Sequence, residues 1–375
     1  MKTATSTLIL CVGGLLTVGL VMLYSSSMMS VGAKYLFLQG VWAAAGIAVC
    51  TIAAFCDYRW LKKIVWLIFG LAVIALVLVL IPGIGELKNG SRRWFDLKVA
   101  HFQPSEAAKL ALIIALAYYG EKYQRDIRTF YKGLVIPGVI IGAILLPIFL
   151  EPDRGTTILL AAVSGLMLLL AGVRWIYFVP PAVAGAALMT FALVSDPIRM
   201  RRIMSWLNPE ETKDGAGYQT WQAMIALGSG GVSGLGIGNG RQKLGFIPEH
   251  HTDFIFSIIG EEMGLIATLG VIAGFVIFVL CGVYIAWHAK DVFGLLLGSG
   301  VTFLVGLQAF INIGVVTSAL PNKGLPLPFI SYGGSSLLLM LFAVGVLISI
   351  ARHGGPPVRE DEELEETDLR GAQFA

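Results

Sequence analysis

The sequence predicts an all-α polytopic membrane protein of about ten transmembrane helices, with a long extracytoplasmic loop between helices 7 and 8. Three observations predict it. Of 375 residues, 56% are hydrophobic and only 14% charged, where a soluble chain carries about a quarter charged. Mean hydropathy is +0.79. Apolar runs of spanning length, roughly 20 residues, recur along the chain. Length alone suggests two or three soluble domains, a prior that fails once most of a chain crosses a bilayer. The net charge of +3 singles out no partner.

The runs lie near 7–26, 36–56, 64–84, 105–120, 131–150, 156–173, 175–195, 265–287, 293–317 and 332–351. The first is too long for a signal-peptide core and no small-residue cleavage site follows it, so it reads as a retained helix. An even count puts both termini on one side. The short loops Asp57–Lys63 and Glu121–Lys132 are basic, which assigns them and both termini to the cytoplasm. The opposite loops are basic too, through Lys88, Arg92, Arg93, Lys98, Arg199, Arg201, Arg202, Arg241 and Lys243. Basic residues kept on the outer side point to an anionic ligand there.

Residues 1–351 therefore form the transmembrane domain. Two outer segments interrupt it, Glu86–Pro104 and the long loop 196–252, whose stretches Arg199–Leu207 and Tyr218–Leu227 are amphipathic and suited to a membrane surface. A loop that long is uncommon unless it is functional. Residues 352–375 carry Pro356-Pro357 and an acidic run from Glu360 to Asp368, the pattern of a disordered cytoplasmic tail. Cys11, Cys50, Cys56 and Cys281 have no metal-like or disulfide spacing and read as apolar packing residues.

Four constellations carry polar chemistry into this apolar background. Phe102–Lys109 opens the fourth helix: Ser105 is a capping candidate beside Pro104. Glu106 and Lys109, three apart, share a face and pair, either as a helix lock or facing a cavity. Glu151–Thr157 is a tight connection in which Asp153 either caps the sixth helix or faces a cavity. In Leu244–Phe256, Asp253 sits where the long loop meets the next apolar run. Partial desolvation there suits a general base, while an N-cap is the bland alternative. Glu261 and Glu262 follow, and one of them must be buried or wet. Glu249, His250 and His251 lack further zinc ligands at the right spacing. Gly228–Gly240 lacks the Gly-Lys-Ser/Thr ending of a phosphate loop and reads as a flexible hinge. In Leu320–Ser336, prolines and glycines break the helix at membrane depth, which is tolerated only against protein or a wet cavity. Lys323 is a natural contact there for an anionic group.

Phe102–Lys109, Pro152–Thr156, Pro248–Phe256 and Lys323–Ser336, in that order, resemble the motifs of the SEDS (shape, elongation, division and sporulation) proteins. The resemblance covers roughly residues 7–351. Gly217-Tyr218-Gln219, Ala226–Gly231 and Pro321–Gly324 are most like the cell-division branch of that family, since the elongation branch usually lacks a lysine at the position of Lys323.

The resemblance implies an outward-facing peptidoglycan glycosyltransferase with ten helices that polymerises lipid II. Asp253 would be its catalytic carboxylate. It would take the proton from the acceptor's sugar 4-hydroxyl as that oxygen attacks the anomeric carbon of the donor, an inverting transfer from undecaprenyl diphosphate. Glu106 and Lys109 map to the family's intramembrane pair, and Arg93 and Lys98 to basic positions near the cavity. Lys323 and the outer polar residues Arg241, Lys243, His251 and Ser331 complete the expected substrate-binding set, positive charge offsetting that of the leaving group. The resemblance also implies a divalent cation (Mg2+ or Mn2+), no organic cofactor and no nucleic acid. The implied setting is the bacterial inner membrane, with a class B penicillin-binding protein and other division membrane proteins as partners. Arg154 departs from the family pattern, where an apolar residue is usual, and is placed to pair with Glu151 or Asp153. Two other classes compete: a lipid II flippase or ion-coupled carrier using Glu106–Lys109, and a non-catalytic division scaffold.

Overall fold

The computed structural model describes residues 1–28, 32–88, 91–96, 101–195, 197–208, 210–213, 215, 217–247 and 251–354. Lys98, the 248–250 stretch and the acidic tail from 355 onward lie outside the described residues.

In lipid every backbone N–H and C=O must be satisfied within the protein, so the apolar runs fold as helices. They are α1 (Lys2–Ser27), α2 (Lys34–Phe55), α3 (Leu61–Leu80), α4 (Pro104–Lys122), α5 (Ile136–Leu150), α6 (Arg154–Leu170) and α7 (Val179–Val194). Two shorter helices, α8 (Pro197–Leu207) and α9 (Tyr218–Ser229), occupy the long loop. The chain then returns through α10 (Ile255–Trp287), α11 (Val292–Val316) and α12 (Gly334–His353). Among the described residues seven helices are long and apolar enough to cross a membrane. These are α1, α2, Tyr58–Leu80, Tyr131–Leu150, α10, α11 and α12; α6 and the stretch Trp175–Leu188 are apolar but shorter. The protein is a helical integral membrane protein.

α4 falls outside those seven because it carries charge, yet it lies at the centre of the bundle. Nearly every residue from Pro104 to Ala117 is buried, and α11 and α12 bury most of theirs around it. The outer helices α1, α2 and α3 instead leave large apolar side chains such as Leu10, Phe37 and Leu67 exposed, as lipid-facing surfaces do.

Helix ends follow side-chain chemistry. Asp291 caps α11 by accepting from Gly294 N–H at 2.7 Å, and Asp153 caps α6 by accepting from Thr156 N–H at 3.0 Å. α4 starts differently from expectation: its cap position is Gln103 with Pro104 inside the first turn. Ser105 is buried one residue later and accepts from Gln103 Nε2 at 3.0 Å.

Two further departures shape the outer end. The segment after α3 pairs into a small antiparallel sheet, β1 (Glu86–Lys88), β2 (Ser91–Asp96) and β3 (His101–Phe102), in that order. The alternation in Arg93-Trp94-Phe95-Asp96 was too short a signal within a polar loop to predict it. The eighth apolar run also begins ten residues early. α10 starts at Ile255 and breaks at Gly264 (φ 74°, ψ −169°), which separates a short buried piece from the long apolar span. Only glycine adopts that backbone readily.

Candidate active site

The site is built upward from a hydrogen-bonded ladder inside the bundle. On α4, Lys109 Nζ pairs with Glu106 Oε1 at 2.8 Å, and Lys109 is 1% exposed. The same ammonium donates to Gln308 Oε1 on α11 at 3.0 Å. Gln308 Nε2 in turn donates to Pro326 O at 2.9 Å. One helical turn further along α11, Asn312 Nδ2 donates to Leu325 O at 2.6 Å and to Asp253 O at 2.8 Å. The intramembrane ion pair thus anchors a chain of bonds that ends on the backbone of Asp253 and of the broken segment 320–333.

That segment carries no regular structure between α11 and α12, and the ladder explains how its backbone survives at this depth. Ser331 closes it. Its Oγ accepts from Leu327 N–H at 2.8 Å and donates to Thr252 O at 2.6 Å. Tyr332 N–H donates to His251 O at 3.0 Å, and the His251 ring stacks on Tyr35 at 5.1 Å between centroids. The two residues that precede Asp253 are therefore pinned to the same platform.

The Asp253 carboxylate lies against Gly324: a Cβ added there would sit 2.5 Å from Oδ2. Asp253 is half-buried and is not the cap of α10, whose cap position is Phe254. The cap position thus falls one residue after Asp253. The residue before Gly324 is Lys323. Burial and the neighbouring Arg154 hold its ammonium below the usual lysine pKa, with Asp153 opposing them. Gly155 packs on Leu325, where an added Cβ would lie 3.1 Å from Cγ. This brings the α5–α6 turn to the platform.

Arg93 fastens that turn from the sheet. Its Nε donates to Glu151 O at 3.0 Å and its Nη2 to Pro152 O at 2.9 Å, with Nη1 3.9 Å from Asp153 Oδ2. The Arg154 guanidinium lies over the Phe149 ring at 3.9 Å. Glu151 is buried, and neither carboxylate oxygen has a hydrogen-bond partner among the described residues. Burial, then Asp153, push its pKa up to about 8, against the pull of Arg93.

Other expected substrate cations sit elsewhere or are already engaged. Lys243 is buried, pairs with Glu262 Oε1 at 2.6 Å and donates to Ser25 Oγ and Gly238 O at 2.9 Å each. It locks the fold and is not a free cation for a diphosphate. The glycine-rich stretch 228–240 is likewise ordered, not a hinge. Gly238 N–H donates to Glu262 Oε2 at 2.9 Å, and Arg241 N–H to Glu261 Oε1 at 2.8 Å. Glycine is needed because the strand of loop lies on the first piece of α10; a Cβ at Gly234 would overlap the Glu262 carbonyl. Both Glu261 and Glu262 are buried. The Arg241 side chain is exposed beside an open cavity of about 620 Å³ lined also by Ser229, Asn239 and Gln242.

Sequence reasoning missed Gln308 and Asn312. Their signal was present as two polar residues four apart in an apolar run, a shared helix face. It also missed Ser25 and Gln39, the latter donating to Ser331 O at 3.2 Å.

Residues 6–355 match the family described as Cell cycle protein, that of FtsW, RodA and SpoVE. The chain belongs to this family. It is 43% identical over 348 residues to a probable peptidoglycan glycosyltransferase FtsW of Geobacter metallireducens, covering 90% of this chain and 92% of the relative. It is 40% identical to stage V sporulation protein E of Bacillus subtilis, covering 90% and 94%. A solved chain from a study of polymerization and crosslinking by a peptidoglycan synthase complex superposes with a TM-score of 0.77 at 26% identity, over 92% of this chain and 96% of that one. Within the family the sequence groups with the FtsW branch, as the motifs around Lys323 suggested.

Among the described residues no three His, Cys, Asp or Glu side chains cluster as a closed metal cage. Hard ions such as Mg2+ are usually held by one or two carboxylates together with substrate phosphates and water. Asp253, against Gly324, would be the carboxylate of such a set, with the substrate's diphosphate supplying further oxygens.

Proposed function

We propose that the protein is a peptidoglycan glycosyltransferase that polymerises lipid II during septal wall synthesis, with Asp253 as general base. The observation that carries this reading is the placement of one half-buried carboxylate against Gly324, next to Lys323 and the arginine-bearing turn 151–155. Asp253 lies against Gly324, and Lys323, which precedes that glycine, lies by Asp153 and Arg154; the buried ladder holds this platform in place, and such placement is what a positioned base requires.

The reaction is the one the family resemblance implies, with its roles assigned to these residues. The acceptor's 4-hydroxyl gives its proton to an Asp253 oxygen while its own oxygen forms the new bond to the donor's anomeric carbon. The bond from that carbon to the diphosphate breaks, and undecaprenyl diphosphate leaves carrying the electron pair. Lys323 and Arg154 stabilise the growing negative charge on the leaving group; Arg93 holds the turn that presents Arg154. A bound Mg2+ or Mn2+, held by Asp253 and the diphosphate, would neutralise further charge. Arg241 is placed to meet substrate outside this platform. His251 and Ser331 position the Asp253 backbone.

The transporter reading expects interrupted helices in two corresponding halves. Here the break at 320–333 backs the Asp253 region while that at Gly264 packs against the loop 232–234, so the two are not corresponding halves of one site, which favours the enzyme. The site faces outward from the inner membrane, both termini are cytoplasmic, and the partner that crosslinks the product is a class B penicillin-binding protein. The test is glycan-strand formation from purified lipid II in liposomes, with that partner and a divalent cation supplied. Wild type makes polymer, while Asp253→Ala, melting at the same temperature, makes at least 100-fold less. Equal polymer from both refutes the assignment of the base. Lipid II translocation without polymer from wild type refutes the enzyme.

A further inference from the structure

The end of the bundle opposite Asp253 holds a second site. α4 runs from Glu106, in the ladder, to Lys122, about 24 Å away at 1.5 Å per residue. There the end of α4, the start of α5 and the flank of α3 enclose a groove of about 320 Å³, lined by Trp66, Tyr118, Lys122, Tyr123, Tyr131 and Val139. Its floor is apolar, continued by Val135, Ile136 and Ile140. Trp66, Tyr131 and Val139 are exposed, so it opens sideways from the protein into the membrane.

The mouth is cationic. The segment 121–132 carries Lys122, Arg125, Arg128 and Lys132 against Glu121 and Asp126. Both carboxylates are already engaged, Glu121 by Lys62 at 2.7 Å and Asp126 by Lys132 at 2.5 Å. Lys122, Arg125 and Arg128 form no ion pair among the described residues. The Lys122 ammonium instead rests between rings, 5.7 Å from the Tyr118 centroid and 5.6 Å from that of Tyr123. Aromatic faces hold a cation in place without neutralising it.

An apolar channel open to lipid, a rim of Trp and Tyr at interface depth and the unpaired Lys122 ammonium in its wall together define an amphiphile with an anionic head. The geometry points to an anionic phospholipid, bound with one acyl chain along Val135–Ile140 and Trp66 and its phosphate at Lys122, on the segment that also carries Arg125. Charge complementarity selects this occupant: a zwitterionic lipid fills the groove equally well but gains little from the unpaired Lys122 in its wall and the basic segment that follows it. The site is independent of the glycosyltransferase reading, since none of its residues belongs to the ladder or the platform.

Trp66 supplies the reporter. The full chain is placed in nanodiscs of zwitterionic phosphatidylcholine doped with a small fraction of lipid brominated on its acyl chains, either phosphatidylglycerol or phosphatidylcholine. The quenching due to Trp66 is the difference between wild type and Trp66→Phe. Brominated phosphatidylglycerol is expected to quench it at least threefold more than brominated phosphatidylcholine at equal fraction. Lys122→Ala combined with Arg125→Ala, both at exposed positions, abolishes that preference. Val139→Phe, which narrows the channel, lowers quenching by both lipids. Equal quenching by the two headgroups, a preference that survives loss of both cations, or no quenching of Trp66 by either lipid overturns the proposal. Melting temperature confirms that each variant is folded.

Discussion

Asn312 satisfies two carbonyls with one amide nitrogen, and one of the two belongs to Asp253. Asn312→Leu leaves both oxygens buried without that donor, which costs ~1–3 kcal/mol. The expected outcome is a lower melting temperature together with slower polymerisation, although Asp253 itself is intact; thermal melting and a lipid II assay read the two effects. Glu151 makes the opposite case, a buried carboxylate that the fold prefers neutral. Its pKa rises from 4.5 to about 8 on folding, so the folded state binds the extra proton between those values. Stability therefore falls as pH climbs through that window. Glu151→Gln, which stays neutral, should lose this dependence and melt higher than wild type at pH 8–9. Melting curves from pH 5 to 9 would show it, and parallel curves for the two proteins would contradict the burial argument. Neither residue's role was legible in the sequence. The spacing of Asn312 from Gln308 marked a polar helix face without saying what it holds, and Glu151 read only as a partner for Arg154, because the groups that define both are distant in sequence.

The helices themselves were legible because lipid leaves the backbone few options, and apolar length reads that constraint directly. Their ends and breaks were less so. α10 begins at Ile255 instead of 265 because Phe254–Met263 packs under a glycine-rich loop, and no local signal announces that neighbour. The loop was misread for the same reason: glycine permits both flexibility and close approach, and only the Glu261 and Glu262 carboxylates on the other side decide between them. The clasp they form predicts strong coupling. Lys243→Met strands the buried Glu262 charge at a cost of about 3–5 kcal/mol. The same change in a Glu262→Gln background should cost far less, a double-mutant cycle readable by thermal melting. Gly264→Ala places a Cβ 2.5 Å from Val232 O at a positive φ. It is expected to lower the yield of folded protein where Gly270→Ala, in open space, does not.

At the scale of the molecule the two ends of one bundle are built for different company. One end gathers Asp253, Lys323 and the arginine-bearing turn on a platform braced through α4 and α11. The other carries the ion network of Arg59, Lys62, Glu121 and Asp291 and the aromatic groove. The sequence pointed to the first through its motif order and through basic residues on the outer side. It also overcounted the free cations, since Lys243 is spent on Glu262 and Arg93 on the α5–α6 turn. The central claim is that Asp253 performs chemistry and does not merely hold the platform. The measurement that tests it most directly compares Asp253→Asn with wild type for both lipid II binding and polymer formation on the same preparations. The account predicts that, without divalent cation, the variant binds lipid II within about threefold of wild type, since Lys323 and Arg154 are untouched, while polymer formed with the cation supplied falls at least 100-fold. Polymer near the wild-type level, or binding lost in step with polymer, would contradict it.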